Sequence, residues 1–351
     1  MINDDKVRKK GSVNTKANTI RRIVVIALML ALITQQAFAA IAVYAPTVRV
    51  AGQVWELKAK GSNVKEWTVR FDYKTYTVAG SKLSLPLTMP RRNVDPETAE
   101  DWDSPTIPLE IEATLANGKK ELITRGITYG TAREALIADW IASIQLDDGT
   151  QRKSGTLTSP GQCKRYLINA FADVSAAYEL AEHPGITLYM PERPNDEKSG
   201  RVQGAAWILP LLGTGNPFVE IASYDFSQDR TSRENKQAAR AFLESVQPGD
   251  VVQLMAIYNN GARGTHTLLI TAPYDPMKDM LYWSDSNFRN KMIDGVRYGT
   301  VMAYQSRTVE AFVEWLVNPA CAATIYRLVD GIQLRESLSD PQLQLYEEES
   351  K

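Results

Sequence analysis

The sequence predicts an α+β domain preceded by a small all-β domain, and three observations predict it. Between about residues 44 and 130, apolar and polar residues alternate in short runs, the period of half-buried strands. From Thr131 the period becomes helical, with Leu136, Ile137, Trp140, Ile141 and Ile144 on one face. Strand patterning then returns from Val251 to Phe288, and helices followed by antiparallel strands define the α+β class.

The chain has 351 residues and a formal charge of −1, which hides an asymmetry. Lys6, Arg8, Lys9, Lys10, Lys16, Arg21 and Arg22 precede an apolar run from Ile23 to Ile33, and Ala37-Phe38-Ala39 fits a cleavage site. Residues 1–40 therefore read as an export signal. The rival is an inner-membrane anchor through residues 21–45. Either form places the rest in the periplasm or outside the cell. The remainder is net acidic, which excludes nucleic acid as a partner.

Val54–Lys60, Trp67–Tyr73 and Leu109–Leu115 each put their large residues on one face, and Asn117-Gly118 is a hairpin signal. Residues 44–130 thus read as a β-sandwich, Ig-like in size. Arg91–Pro108 is a long connection within it. No catalytic cluster falls here, and a spacer or binding role is expected.

The second domain is expected over 131–335. Ser159 as N-cap, Pro160 at the first helical position and Gln162 as the reciprocal acid/amide predict a helix start just before Cys163. A stretch from His183 to Asp229 reads as irregular, and Thr231-Ser-Arg-Glu234 opens another helix. Strands are expected at Val251–Ile257, Thr265–Ile270, Met280–Phe288, Gly299–Tyr304 and Thr324–Val329, with a helix at Val309–Leu316. Residues 336–351 form an acidic tail.

Cys163 sits where first-turn amides and the helix dipole favour a thiolate. A packed cysteine on an apolar helical face, or a disulfide to Cys321, is the alternative. Of the two histidines, His183 lies in turn chemistry, whereas His266 is on a strand. Trp283, Asp285 and Asn287 share a face of the next strand, so Asp285 and Asn287 can orient an imidazole. Nucleophile, base and orienter together define a cysteine hydrolase.

Gly161-Gln-Cys-Lys-Arg-Tyr166 resembles the nucleophile motif of CHAP domains, a papain-like family of cysteine amidases and peptidases related to NlpC/P60 enzymes. Gly204-Ala-Ala-Trp207, Gln247-Pro-Gly-Asp250, Thr265-His266 and Asp285-Ser-Asn287 resemble later motifs of that family in the same order. Three features depart from it: Thr precedes the histidine, Asp replaces Glu, and Cys163 and His266 are far apart in the chain. The resemblance implies a papain-like domain with Cys163 as nucleophile, His266 as base, and Asp285 and Asn287 as orienters, with no cofactor or metal. It also implies hydrolysis of an amide in peptidoglycan, or of a peptide. A non-catalytic envelope module with a protein partner, and a peptidase acting on proteins, remain open.

Overall fold

The computed structural model describes residues 41–91, 106–156, 159–180, 217–257, 261, 263–319 and 321–335. The export segment, His183, Gly204–Trp207 and the acidic tail lie outside the described residues. Ala42–Tyr44, which an anchor through residue 45 would have to include, form strand β1. Among the described residues no helix is long and apolar enough to cross a membrane.

The first part contains β1, β2 (Val48–Arg49), β3 (Val54–Lys60), β4 (Val64–Phe71), β5 (Lys74–Ala79), β6 (Lys82–Thr88), β7 (Thr106–Leu115) and β8 (Lys120–Tyr129). They form a three-stranded sheet, β1-β3-β6, and a five-stranded sheet, β2-β8-β7-β4-β5. Period-two alternation sends Trp55 and Leu57 from one sheet, and Trp67, Val69, Phe71, Leu109 and Ile111 from the other, into one shared core.

The second part opens with α1 (Ala132–Leu146), whose start is fixed by a capping box between Thr131 and Glu134. Then come β9 (Gln151–Lys153), α2 (Cys163–Ser175), β10 (Tyr178–Glu179), β11 (Phe218–Asp225) and α3 (Ser232–Glu244). Strands β12 (Val251–Ile257), β13 (Arg263–Asp275), β14 (Met280–Ile293) and β15 (Val296–Thr308) lead to α4 (Val309–Leu316), β16 (Ala322–Leu328) and β17 (Gln333–Leu334). Seven strands make one sheet in the order β11-β16-β12-β13-β14-β15-β9, antiparallel at every pairing. Helices α1 and α2 cover one face through Leu136, Trp140, Leu167 and Phe171. Helices α3 and α4 cover the other through Phe242, Leu243, Phe312 and Trp315.

This corrects the expected fold class. An α+β, papain-like domain was anticipated, but the described residues form seventeen strands and four helices, the longest of 15 residues, and the architecture is predominantly β. Two features account for the difference. Strands β13, β14 and β15 run 13 to 14 residues, well past their sequence signals, because pairing with neighbouring strands extends them beyond the stretches of clear apolar alternation. Residues Phe218–Asp225, within the stretch expected to be irregular, form an edge strand paired with β16.

The two parts are joined by a buried polar network. Asp139 on α1 forms an ion pair with Arg49 of β2 at 2.5 Å, and accepts hydrogen bonds from Tyr44 of β1 and Tyr178 of β10. Gln53 donates to the Tyr178 hydroxyl. Arg49 has no exposed surface and Asp139 is 5 % exposed, so burial without these partners would be costly.

Candidate active site

Cys163 is the first residue of α2, and Gln162 is its N-cap. The sequence places the cap three residues earlier, at Ser159, and the difference has a physical cause. Ser159, Pro160 and Gly161 form a turn in which the Gln162 N–H reaches the Ser159 carbonyl at 3.0 Å, while the Gly161 N–H pairs with Lys153 of β9 at 2.8 Å. A Cβ at residue 161 would collide with the carbonyl oxygen of Arg152, so only glycine lets the turn lie this close to β9. The Ser286 hydroxyl donates to the Gly161 carbonyl at 2.9 Å.

The Gln162 side chain does not cap the helix. Its carbonyl oxygen accepts from Asn287 Nδ2 and Ser154 Oγ, both at 3.1 Å, and Ser154 also donates to Asn287 Oδ1 at 2.7 Å. Asn287 thus secures the residue before Cys163. It takes φ = 70°, and the β14–β15 register shifts between Ser286 and Asn290, which breaks the period-two placement expected from the sequence. The Asn287 side-chain amide is engaged by Ser154 and Gln162.

Asp285 takes the position beside His266. Its Oδ2 lies 3.5 Å from His266 Nε2 and accepts the Trp283 indole N–H at 2.7 Å. Trp283 is itself held edge-on against Phe312, with centroids 5.0 Å apart. Asp285 has no exposed surface and His266 is 6 % exposed.

The sulfur of Cys163 meets the sheet where the β13–β14 ladder opens. Pairing of these strands extends to Leu269↔Ser284, after which β14 shifts along β15. Backbone groups along an antiparallel strand point alternately to its two neighbours. Ile270 N–H goes to Asp250 beside β12, so that of Thr267, three residues away, faces the opened β14 side. Sulfur therefore receives the Thr267 N–H, the Lys164 N–H and a hydrogen bond with the His266 ring.

Burial alone would push the Cys163 thiol up, but the charge and hydrogen bond of His266, with the two backbone N–H groups, hold it below its ordinary value. Burial alone would likewise lower His266, yet Cys163 and then Asp285 outweigh it and push the imidazole up to about 10. Both directions favour the charged forms, thiolate and imidazolium, of the two groups. Lys164, half-buried beside the sulfur, is pushed down to about 8, first by burial, with the Cys163 charge opposing. Neither cysteine forms a disulfide, and Cys321 is buried at the start of β16. Among the described residues no group of three His, Cys, Asp or Glu side chains could hold a metal ion.

Sequence reasoning did not single out Ser154, Ser286 or Trp283 as supports of the site. Trp283 carried a signal, since an indole two residues before an acid on one strand face can reach it. The two serines carried none, because Ser286 reaches the turn before α2 and Ser154 reaches Asn287 on β14, each far away in the chain.

No family model and no curated protein matches this chain. Among solved structures, a mixed-linkage glucan utilization locus protein from Bacteroides ovatus, SGBP-B, in complex with a mixed-linkage heptasaccharide, is similar at 8% identity with a TM-score of 0.15. The alignment covers 80% of this chain and 51% of that one, so the chain spans about half the length of that protein. A likeness of this size carries no argument about fold or ligand.

Proposed function

We propose that this chain is an exported cysteine hydrolase that cleaves an amide bond, with peptidoglycan as the substrate class. The observation that carries the reading is the line from Cys163, hydrogen-bonded to His266, on to Asp285, whose Oδ2 lies 3.5 Å from His266 Nε2, with sulfur at a helix N-terminus. The export segment and the CHAP-like motifs supply the substrate class.

In this reading the Cys163 thiolate attacks the carbonyl carbon, and the first-turn N–H groups of α2 stabilise the oxyanion. Such donors are worth ~2.7–4 kcal/mol each in other enzymes. The His266 imidazolium passes its proton to the departing amine. Neutral His266 then takes a proton from water, which displaces the acyl group and restores the thiol pair. Asp285, held by Trp283, keeps the ring turned towards sulfur throughout.

Purified mature protein incubated with peptidoglycan should release fragments whose masses show an amide converted to an amine and a carboxylate. Cys163→Ala should release none. A wild-type protein that releases nothing from peptidoglycan overturns the reading. One observation favours a second reading, a non-catalytic envelope module: Cys163 is 5 % and His266 6 % exposed. Inert wild-type protein that still sediments with peptidoglycan would support that module.

A further inference from the structure

Gln253, on β12, has no exposed surface, and neither its amide nitrogen nor its amide oxygen has a hydrogen-bond partner among the described residues. A stranded donor and acceptor on one buried side chain oppose folding, whereas a methionine of similar volume would not. Stability alone gives no reason for glutamine here.

Its position gives one. Gln253 pairs with Thr267 on β13 and with Thr324 on β16, so a polar strip crosses three adjacent strands. The Thr267 backbone N–H is the one that holds the Cys163 sulfur. Alternation puts Gln253 on the same sheet face as Val251 and Leu269, which α1 and α2 cover. Val251 and Leu269 lie under the body of α2, Gln253 and Thr267 are level with its first residue, and the half-buried Met255 and the exposed Thr265 lie beyond it. The strip is therefore at the point where the helix cover ends, beside the nucleophile.

We propose that the Gln253 carboxamide is a specificity-determining group that binds a peptide amide of the substrate next to the scissile carbonyl, its NH2 donating to a carbonyl and its oxygen accepting an N–H. The inference rests on the cysteine-hydrolase reading for the site it serves. One donor and one acceptor held in a plane match a peptide unit. A substrate of this class satisfies both atoms at once.

The test uses a soluble disaccharide–tetrapeptide muropeptide and the full mature chain carrying Cys163→Ala, so that binding is read without turnover. Calorimetry should show binding, and adding Gln253→Met should weaken it at least tenfold while the melting temperature stays level or rises. Should Gln253→Met fold poorly, Gln253→Leu provides the same comparison. Equal affinity with and without the substitution, or no binding by Cys163→Ala, overturns the inference. Turnover by wild-type protein is scored separately. Turnover with unchanged binding in the Gln253 variant sinks this inference alone. Weakened binding without turnover sinks the hydrolase reading and leaves Gln253 as a binding group.

Discussion

The indole N–H of Trp283 and the imidazole of His266 converge on one oxygen, Oδ2 of Asp285, at 2.7 and 3.5 Å. The tryptophan fixes where that oxygen lies, and the oxygen fixes how the histidine is turned. Trp283→Phe keeps an apolar ring against Phe312 but removes the donor. It should lower kcat about tenfold, from a charge-assisted bond worth about 1.5 kcal/mol, with KM little changed. The alkaline limit of the pH–rate profile should move below that of wild type, since a less constrained carboxylate supports His266 less. An unchanged profile with only a lower melting temperature would reduce Trp283 to packing.

Alkylation of Cys163 should report the ion pair directly. The thiol is held below its ordinary value, so the rate of reaction with iodoacetamide should stay high well below pH 8. His266→Ala removes the charge and the ring hydrogen bond and leaves only the Thr267 and Lys164 N–H groups to oppose burial, which should move the alkylation midpoint above that of wild type.

The stability linkage has a definite sign. His266 is raised in the folded state from an ordinary value near 6.5 to about 10. Its contribution is fully present below pH 6.5 and is lost as pH rises through about 10. Urea unfolding of wild type against His266→Gln should differ most on the acid side of that window and converge above it.

Asp139→Asn should destabilise the protein by about 3–5 kcal/mol, because Arg49 is then buried with no opposing charge. Arg49→Met combined with Asp139→Leu should recover part of that loss. Urea denaturation of Arg49→Met, Asp139→Leu and the double variant beside Asp139→Asn measures it, and additive losses in the double variant would contradict the pairing.

Gly161→Ala should cut kcat/KM by two orders of magnitude or more, since the turn must move away from Arg152 and carry Cys163 with it. Alanine at Gly149, which has open space around it, should cost stability alone.

The sequence made parts of this molecule legible and hid others for identifiable reasons. Cys163 at a helix start is visible because the turn before it is rich in Ser, Pro and Gly, although the cap lies at Gln162 and not Ser159. The sheet face of His266 follows from simple alternation with Leu268 and Ile270, which pack in the core under α3 and α4. Alternation fails at Asn287, where a register shift and a positive φ turn the side chain towards Ser154 and Gln162. Fold class fails for a related reason. The first residues of β15, from Val296 to Tyr298, are too short an alternation to read as strand by themselves, and pairing with β14 and β9 makes them so.

The seam between Gly161 and Gly299 bears on when the thiol becomes reactive during biogenesis. The Gly161 carbonyl packs where a side chain at Gly299 would stand, so the turn bearing Cys163 closes only after the β14–β15 hairpin, well over 100 residues later, has formed. His266 and Thr267 are also distant in sequence, and contacts of such long separation assemble late. Until then Cys163 is an ordinary thiol with a pKa of about 8.5. Under the export reading, a chain emerging from translocation carries a slow-oxidising cysteine through its most exposed period, and acquires the thiolate together with its native fold.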